Sequence, residues 1–492
     1  MKKKYIKIIF LVVAVLATLI IVANLLITNF IEKKIAQNNS DYSFEITDVN
    51  TNILTRTVTF KNVIIHSKSK DSASIKKVEI SGISINNLFS KNNFEIEKIY
   101  VENGDGYLSK KNSAKKNNEQ KNFKIKIKEI EVKNTNLSYN TAVEKEPIKV
   151  ENIGVILNEV IINTNHTVKQ VFKYEKILLT AENIELPINN HLNFKIGKIK
   201  ADKQYIKASN VGIKTLYSKK ELQKHVTVQT DWINLDIDSI LIDKYQHNTY
   251  RDSALYEANN LKIYNGNIEI YKNKLLPEPT KYKPLYSKAL RNLPFKINIE
   301  HLEIINSRIK YAERVKNYEE PGNIVFTEVN STIENINSME GNGETKIEIN
   351  SKFMDNADFK LLWNFDINNK ADFFTLHGNM KNLSAHQIND FVEPNMNVET
   401  SGEIKSIVFN VNANENVANG SFELKYDDFK ITIKKKNKNV VNKFFTNVAN
   451  LFMKNDKNDN KKVEIKVERD KQKSFFNYFW LCVREGTLQT VL

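Results

Sequence analysis

Phe123–Tyr139 reads FKIKIKEIEVKNTNLSY, with apolar residues at Ile125, Ile127, Ile130 and Val132 and a polar Asn134 two places further on. On a helix those four apolar positions would point to roughly 0°, 200°, 140° and 340° at about 100° per residue, so no face would be apolar. On a strand they alternate, except for one extra residue between Ile127 and Ile130 that reverses in/out parity. A β-bulge or a two-residue turn at that point returns all four side chains to one side of a sheet. The segment is therefore read as β, greasy on one face only.

The same spacing recurs along the chain. It is found at Val78, Ile80, Ile83, Ile85 and Asn87, at Phe94, Ile96, Ile99, Val101 and Asn103, and at Ile297, Ile299, Leu302, Ile304 and Asn306. Weaker copies run through Val58, Phe60, Val63 and Ile65, through Phe194, Ile196 and Ile199, and through Ala258, Leu261 and Ile263. Phe295–Tyr311 matches Phe123–Tyr139 at Phe295, Lys296, Ile297, Ile299, Glu303, Asn306 and Tyr311, so two halves open on one supersecondary unit. The intervals between copies are unequal, which excludes a fixed-period solenoid, yet neighbours must still extend each unit's apolar face.

Composition narrows the class. Only 14 of 492 residues are glycine, so turns fall to Asn, Asp and Ser, the residues that next best tolerate left-handed backbone. The net charge of +15 comes from lysines that alternate with isoleucine along the strands. They are read as the wet face of a sheet; no nucleic-acid module is visible, and nucleic acid is not expected as a partner. The single cysteine, Cys482, excludes an intramolecular disulfide and multi-cysteine metal sites.

Residues 8–31 carry no charge, and 24 residues at about 1.5 Å each span roughly 36 Å, enough for a bilayer core with some tilt. Ile8, Phe10, Leu11, Leu16, Ile20, Ile21, Leu25 and Leu26 are its anchoring side chains. Lys2, Lys3, Lys4 and Lys7 make residues 1–7 a basic tip that is expected in the cytosol, with the bulk of the chain across the membrane. A cleaved signal peptide competes, but the apolar run is long for one.

Residues 41–271 read as successive short strands. Pro277, Pro279, Pro284 and Pro294 make residues 272–294 a connection with room for one or two helical turns between Leu285 and Leu293. Residues 295–439 read as a second β segment, in which Ile407, Phe409 and Val411 alternate cleanly. If Asp427 and Asp428 form a hairpin turn, Tyr426, Leu424 and Phe422 pair with Phe429, Ile431 and Ile433; a bulge is the alternative. Val441, Phe444, Phe445, Val448, Leu451 and Phe452 give residues 440–454 the spacing of a basic amphipathic helix, suited to resting on anionic lipid or to capping the sheet. Residues 462–492 hold a last strand and an aromatic tail from Phe475 to Trp480.

The apolar run near the N-terminus, the segment Thr57–Lys68 (TVTFKNVIIHSK), the stretch Ser401–Ile433 and the amphipathic helix after it together resemble the AsmA-like superfamily of bacterial envelope proteins. What that resemblance implies is an elongated, curved antiparallel sheet with an apolar groove. The chain would be held in the inner membrane by one pass and would reach into the periplasm. It further implies phospholipid movement towards the outer membrane, with outer-membrane or envelope proteins as further partners. The chain is shorter than the members thought to cross the whole periplasm.

The physical argument for lipid runs in parallel. A one-faced apolar sheet must be covered, either by a second layer, as in a closed sandwich, or by acyl chains in a groove. In the groove reading the lining is Ile80, Ile96, Ile125, Ile127, Ile297, Ile299, Ile407, Phe409, Val411, Phe422, Leu424, Tyr426, Phe429, Ile431 and Ile433. The sandwich reading makes the chain a structural scaffold or assembly factor for envelope proteins. Enzyme signatures are missing: the eight histidines never take the H-E-x-x-H spacing, and there is no G-x-S-x-G elbow and no Walker loop. Gly341 and Gly343 read as a polar turn, and Asp236, Asp238 and Asp243 as a solvated strand edge. No catalytic residue, cofactor or metal ligand is expected.

Overall fold

The computed structural model describes residues 42–52, 54–67, 71–84, 93–109, 124–140, 146–163, 172–316, 320–341, 343–433 and 460–491. The expected membrane anchor (8–31) and amphipathic helix (440–454) lie outside these residues. The chain is mostly β and divides into two compact units. The first comprises residues up to Asn190 together with Phe194–Ser209, and the second His191–Asn193 and everything from Asn210 on. This division falls earlier than the Pro-containing connection, which belongs to the second unit.

The first unit contains β1 (Tyr42–Asn52), β2 (Thr57–Ser67), β3 (Ser72–Ser81), β4 (Asn93–Ser109), β5 (Lys124–Asn140), β6 (Ile148–Asn163), β7 (Phe172–Lys173), β8 (Lys176–Asn189) and β9 (Leu192–Ala201), of which β9 starts in the second unit. Neighbouring strands are antiparallel except β4 and β5, which run parallel, Ile99 beside Ile130 and Val101 beside Val132. The sheet is thus mixed, where a purely antiparallel one was expected. A parallel neighbour needs a crossover rather than a hairpin.

Registered partners point to the same face of a sheet. One row therefore reads Val58, Ile80, Ile99, Ile130, Leu157, Ile177 across β2, β3, β4, β5, β6 and β8. Ile80, Ile99 and Leu157 in that row are fully buried. Among the described residues of this unit every element is a strand. The opposite face is polar: Lys98 lies 2.8 Å from Glu129 and 2.5 Å from Glu131, Lys133 lies 2.7 Å from Glu131, and Lys77, Lys98 and Lys133 surround the Tyr100 ring.

The parity switches are bulges inside long strands, not turns. Asn103 of β4 and Asn134 of β5 both adopt left-handed backbone, with φ of 54° and 48°. Asn62, Asn152 and Asn183 do the same on β2, β6 and β8. The registered pairs step over Asn62 between β2 and β3, and over Asn103 and Asn134 between β4 and β5. Such a residue costs an L side chain energy unless it is Asn, Asp or Gly. The glycine-poor sequence places Asn there, and side chains knit the line together: Asn136 donates to Asp105 at 2.9 Å and Asn152 to Glu182 at 3.0 Å. The polar end of the sequence motif is thus a second parity switch.

The second unit holds most of β10 (Tyr205–Thr215), then α1 (Lys219–His225), β11 (Asp231–Asp243), β12 (Gln246–Tyr250), β13 (Ser253–Tyr264) and β14 (Asn267–Asn273). The Pro-containing connection follows, with α2 (Tyr286–Arg291) in it as expected, and leads to β15 (Lys296–Arg314). It is the crossover that lets β15 run parallel to β13 and β14, Leu302 beside Leu261 and Ile309 beside Ile268. Asn265 and Asn306 repeat the left-handed pair, with φ of 51° and 49°, and Asn306 donates to Asn265 at 3.0 Å. The duplication read from Phe123–Tyr139 and Phe295–Tyr311 is therefore a duplication of strand role: both follow a parallel step and both carry the bulge.

From β15 the chain proceeds antiparallel through β16 (Gly322–Asn337), β17 (Glu344–Phe353), β18 (Ala357–Asp366), β19 (Phe374–Ser384), β20 (Val398–Ala413), β21 (Val417–Ile433) and β22 (Asn460–Glu468). α3 (Asn389–Met396) lies between β19 and β20, and α4 (Phe475–Val491) closes the described chain. The hairpin expected at Asp427 and Asp428 does not form. β21 runs straight through, so Tyr426 faces Ile404 and Phe422 faces Phe409. A two-residue turn of the favoured type needs positive φ at both residues, and only Asp428 has it, opposite Gly402 at φ 88°. The site is a bulge. The aromatic tail, read without regular structure, is the helix α4.

Candidate functional site

Register traces one apolar face through the second unit. The row Ile242, Leu261, Leu302, Ile333 crosses β11, β13, β15 and β16, and the next row is Ile240, Ile263, Ile304, Ser331. Past the Asn265–Asn306 bulge the face continues as Leu235, Ile268, Ile309, Phe326 and Ile233, Ile270, Tyr311, Ile324. No charged side chain enters these rows. Charges pair on the other side instead, Lys262 with Glu303 at 2.9 Å and Lys219 with Glu269 at 2.7 Å.

Accessibility divides this face. On β11, β13, β14 and β15 the side chains of these rows are half-buried, with Ile309 37% exposed, although Ile237 and Ala258 nearby are buried. From β17 onward the same rows continue as Ile347, Trp363, Leu376 and Val411 and as Ile349, Leu361, Gly378, Phe409 and Phe422, nearly all buried. Helices account for the change. Phe475 of α4 stacks on Trp363 with centroids 4.3 Å apart, Phe479 lies 5.4 Å from Phe409, and Tyr286 of α2 meets both Trp363 and Phe475. α3 joins through Phe391, 6.0 Å from Trp480.

The proposed lining residues therefore fall into three settings. Ile80, Ile96, Ile125 and Ile127 are buried in the apolar cluster of the first unit. Ile297 and Ile299 are half-buried on β15, within the accessible stretch. Ile407, Phe409, Val411, Phe422, Leu424 and Phe429 are buried in the cluster that α2 and α4 join, with Tyr426 and Ile431 packed at its margin. The side chain of Ile433 lies outside the described residues. The accessible rows use positions the sequence motif marked, Leu261, Ile263, Leu302 and Ile304, that were not singled out as lining. Ile240 and Ile242 interleave with Asp236, Asp238 and Asp243, the cluster read as a solvated strand edge.

The covering helix also had a signal. Phe475, Tyr478, Cys482, Gly486 and Thr490 are its buried residues, at steps of three and four. Thr490 and Gly486 are not apolar, which hid the stripe. Gly486 matters because a Cβ there would sit 2.5 Å from Phe422 Cβ and overlap the ring. Burial pushes the Cys482 thiol up to about 12, so it is an unreactive packing group while α4 is seated.

Two ion pairs fasten the cover. Arg469, whose side chain is fully buried, binds Glu415 at 2.8 Å and donates to the Lys283 carbonyl at 2.5 Å, while Tyr282 donates to Glu415 at 2.7 Å. Arg291 of α2 binds Asp372 at 2.5 Å, and Ser287 donates to the same oxygen at 2.8 Å. Among the described residues no group of three His, Cys, Asp or Glu is placed to hold a metal, and no helix is long and apolar enough to cross a membrane. Asp236 and Asp238 are engaged by Lys214 at 3.1 Å and Asn265 at 2.9 Å. No protein-family model matches the chain, and no curated protein matches it.

Proposed function

We propose that this chain is a non-enzymatic envelope protein, anchored in an inner membrane by residues 8–31, whose apolar sheet face binds phospholipid acyl chains and conducts them between inner and outer membranes through the periplasm. The observation that carries the reading is the accessible stretch of β11, β13, β14 and β15. Its rows of Ile and Leu are half-buried and free of charge, and α2, α3 and α4 leave them uncovered except at Tyr311, which packs against the Phe391, Val392 and Val398 cluster at α3. Apolar area of that kind is usually spent on a partner or a lipid. Each methylene laid on it gains about 0.8 kcal/mol, while a charged headgroup stays in water. Neighbouring rows are chemically alike, so a chain can move along them with little change in energy. The resemblance to the AsmA-like superfamily points the same way.

The buried rows of β17–β22 favour a second reading, a scaffold or assembly factor with a closed core, for that part of the chain. A photo-crosslinker placed in the full chain in membranes at Leu302, with Glu303 on the opposite face as control, separates the two. Lipid adducts at Leu302 and none at Glu303 are expected. Discrete protein adducts at Leu302 without lipid would replace the conduit by the scaffold.

A further inference from the structure

We infer that α4 is a movable lid, and that the rows beneath it, centred on Leu376, Phe409 and Phe422, are a second acyl-chain site uncovered when α4 exchanges the sheet for a bilayer surface. The nature of the occupant rests on the acyl-chain reading of the accessible rows; the movement of α4 does not.

Continuity is the first argument. Ile304 of the accessible stretch is linked by register through Ser331, Ile349, Leu361 and Gly378 to Phe409 and Phe422. The face does not change its chemistry where it becomes covered. Only α2 and α4 are added, and α4 supplies side chains of the same apolar kind that a lipid would.

Imperfect closure is the second. Beneath and on α4 the Trp363 indole nitrogen and the Tyr478 hydroxyl are buried without a hydrogen-bond partner among the described residues. Each loses water on closure and receives nothing in return, a penalty that opening relieves.

The third is the shape of the helix. Its buried stripe, with Phe479 and Val483 packed alongside and Phe476 exposed at 63%, is a surface that a membrane interface accepts as readily as a sheet does. The segment before it is pinned: Arg469 is held by Glu415, and Lys473 pairs with Glu278. A hinge at Ser474, just after these pins, would let α4 swing while its root stays attached.

Cys482, the only cysteine in the chain, reports the movement because it is on the buried stripe. In the full chain, N-ethylmaleimide labelling of Cys482 is followed by intact mass in amphipol and in vesicles of phosphatidylethanolamine and phosphatidylglycerol. Labelling at least about tenfold faster in vesicles is expected, since it tracks the open population; equal rates overturn the lid. A lock tests the site. In a Cys482→Ser background, Phe422→Cys with Gly486→Cys places two Cβ atoms 2.5 Å apart, and a shift of α4 by about 1 Å opens them to disulfide spacing. A photo-crosslinker at Phe409 should give lipid adducts when this pair is reduced and lose them when it is oxidised. Adducts at Leu302 but none at Phe409 in the reduced protein would overturn the second site and leave the accessible rows standing. Fast Cys482 labelling in vesicles with no lipid at Leu302 or Phe409 would overturn the acyl-chain reading and leave the lid.

Discussion

Gly486 of α4 rests on the ring of Phe422 so closely that even a methyl group at 486 would overlap it. The contact joins the last helix to the sheet at a fully buried side chain, and it sets the height at which α4 can sit. Gly486→Leu should therefore lift the helix, lowering stability by about 1–3 kcal/mol as overpacking does. Thermal unfolding of the full chain followed by tryptophan fluorescence would read this, with Thr487→Ala unchanged.

Phe422 and Leu302 belong to one continuous face but differ in cover. Phe422→Ala should cost about 3–5 kcal/mol, because it opens a cavity under α4. Leu302→Ala, at a half-buried position, should cost clearly less and instead reduce lipid capture at neighbouring positions. Denaturant midpoints measured beside lipid adduct yields would show the two effects separating.

The left-handed asparagines offer a backbone test. Asn134, at φ 48°, can be replaced by glycine with little loss, whereas a β-branched valine must be forced into that conformation. Asn134→Val should destabilise by about 1–2 kcal/mol and Asn134→Gly by far less. Equal losses would mean that the side-chain bonds of the seam, rather than its backbone geometry, are what matter.

Arg469→Met leaves Glu415 partly buried with Tyr282 alone, and about 3–5 kcal/mol should be lost. The pair Arg469→Met with Glu415→Leu should recover most of that, since the charge that had to be paired is gone. A double-mutant cycle in urea measures the recovery.

On the wet face of the first unit, Lys133 and then Lys98 hold the Glu131 carboxyl below its ordinary 4.5. A carboxylate with a lowered folded pKa stabilises the fold above its unfolded value, and that stability is lost as pH falls below about 4.5 towards the folded pKa. Glu131→Gln should flatten the acid limb of the stability profile in that window and leave its slope above pH 6 unchanged. Chemical denaturation at stepped pH checks the sign.

Much of this could be read from the chain because β alternation is local. Ile125, Ile127, Ile130 and Val132 reveal the strand, the face and the first bulge without any partner. Asn134 announced a turn-like residue, although its role as a second bulge within an unbroken strand required the neighbouring Asn103 to be in place. The parallel steps at β4–β5 and β13–β15 were not legible, since strand direction depends on how the chain connects, as through residues 272–294, rather than on the strands. α4 was missed because Gly486 and Thr490 interrupt an apolar stripe whose logic is fit to Phe422, not hydrophobicity.

By itself the sequence determined a mostly β chain with one apolar face, lysines on the other, and asparagines where glycine is scarce. Only the tertiary structure decided where that face is covered. An isoleucine two residues from another is written the same way whether a helix, a second sheet or a lipid will lie on it, because alternation records which side is apolar and not what arrives there. α2 and α4 arrive over β17–β22, while α3 packs between Tyr311 and Ile324 of β15 and β16 and Val398 of β20, and both are facts of long-range contact.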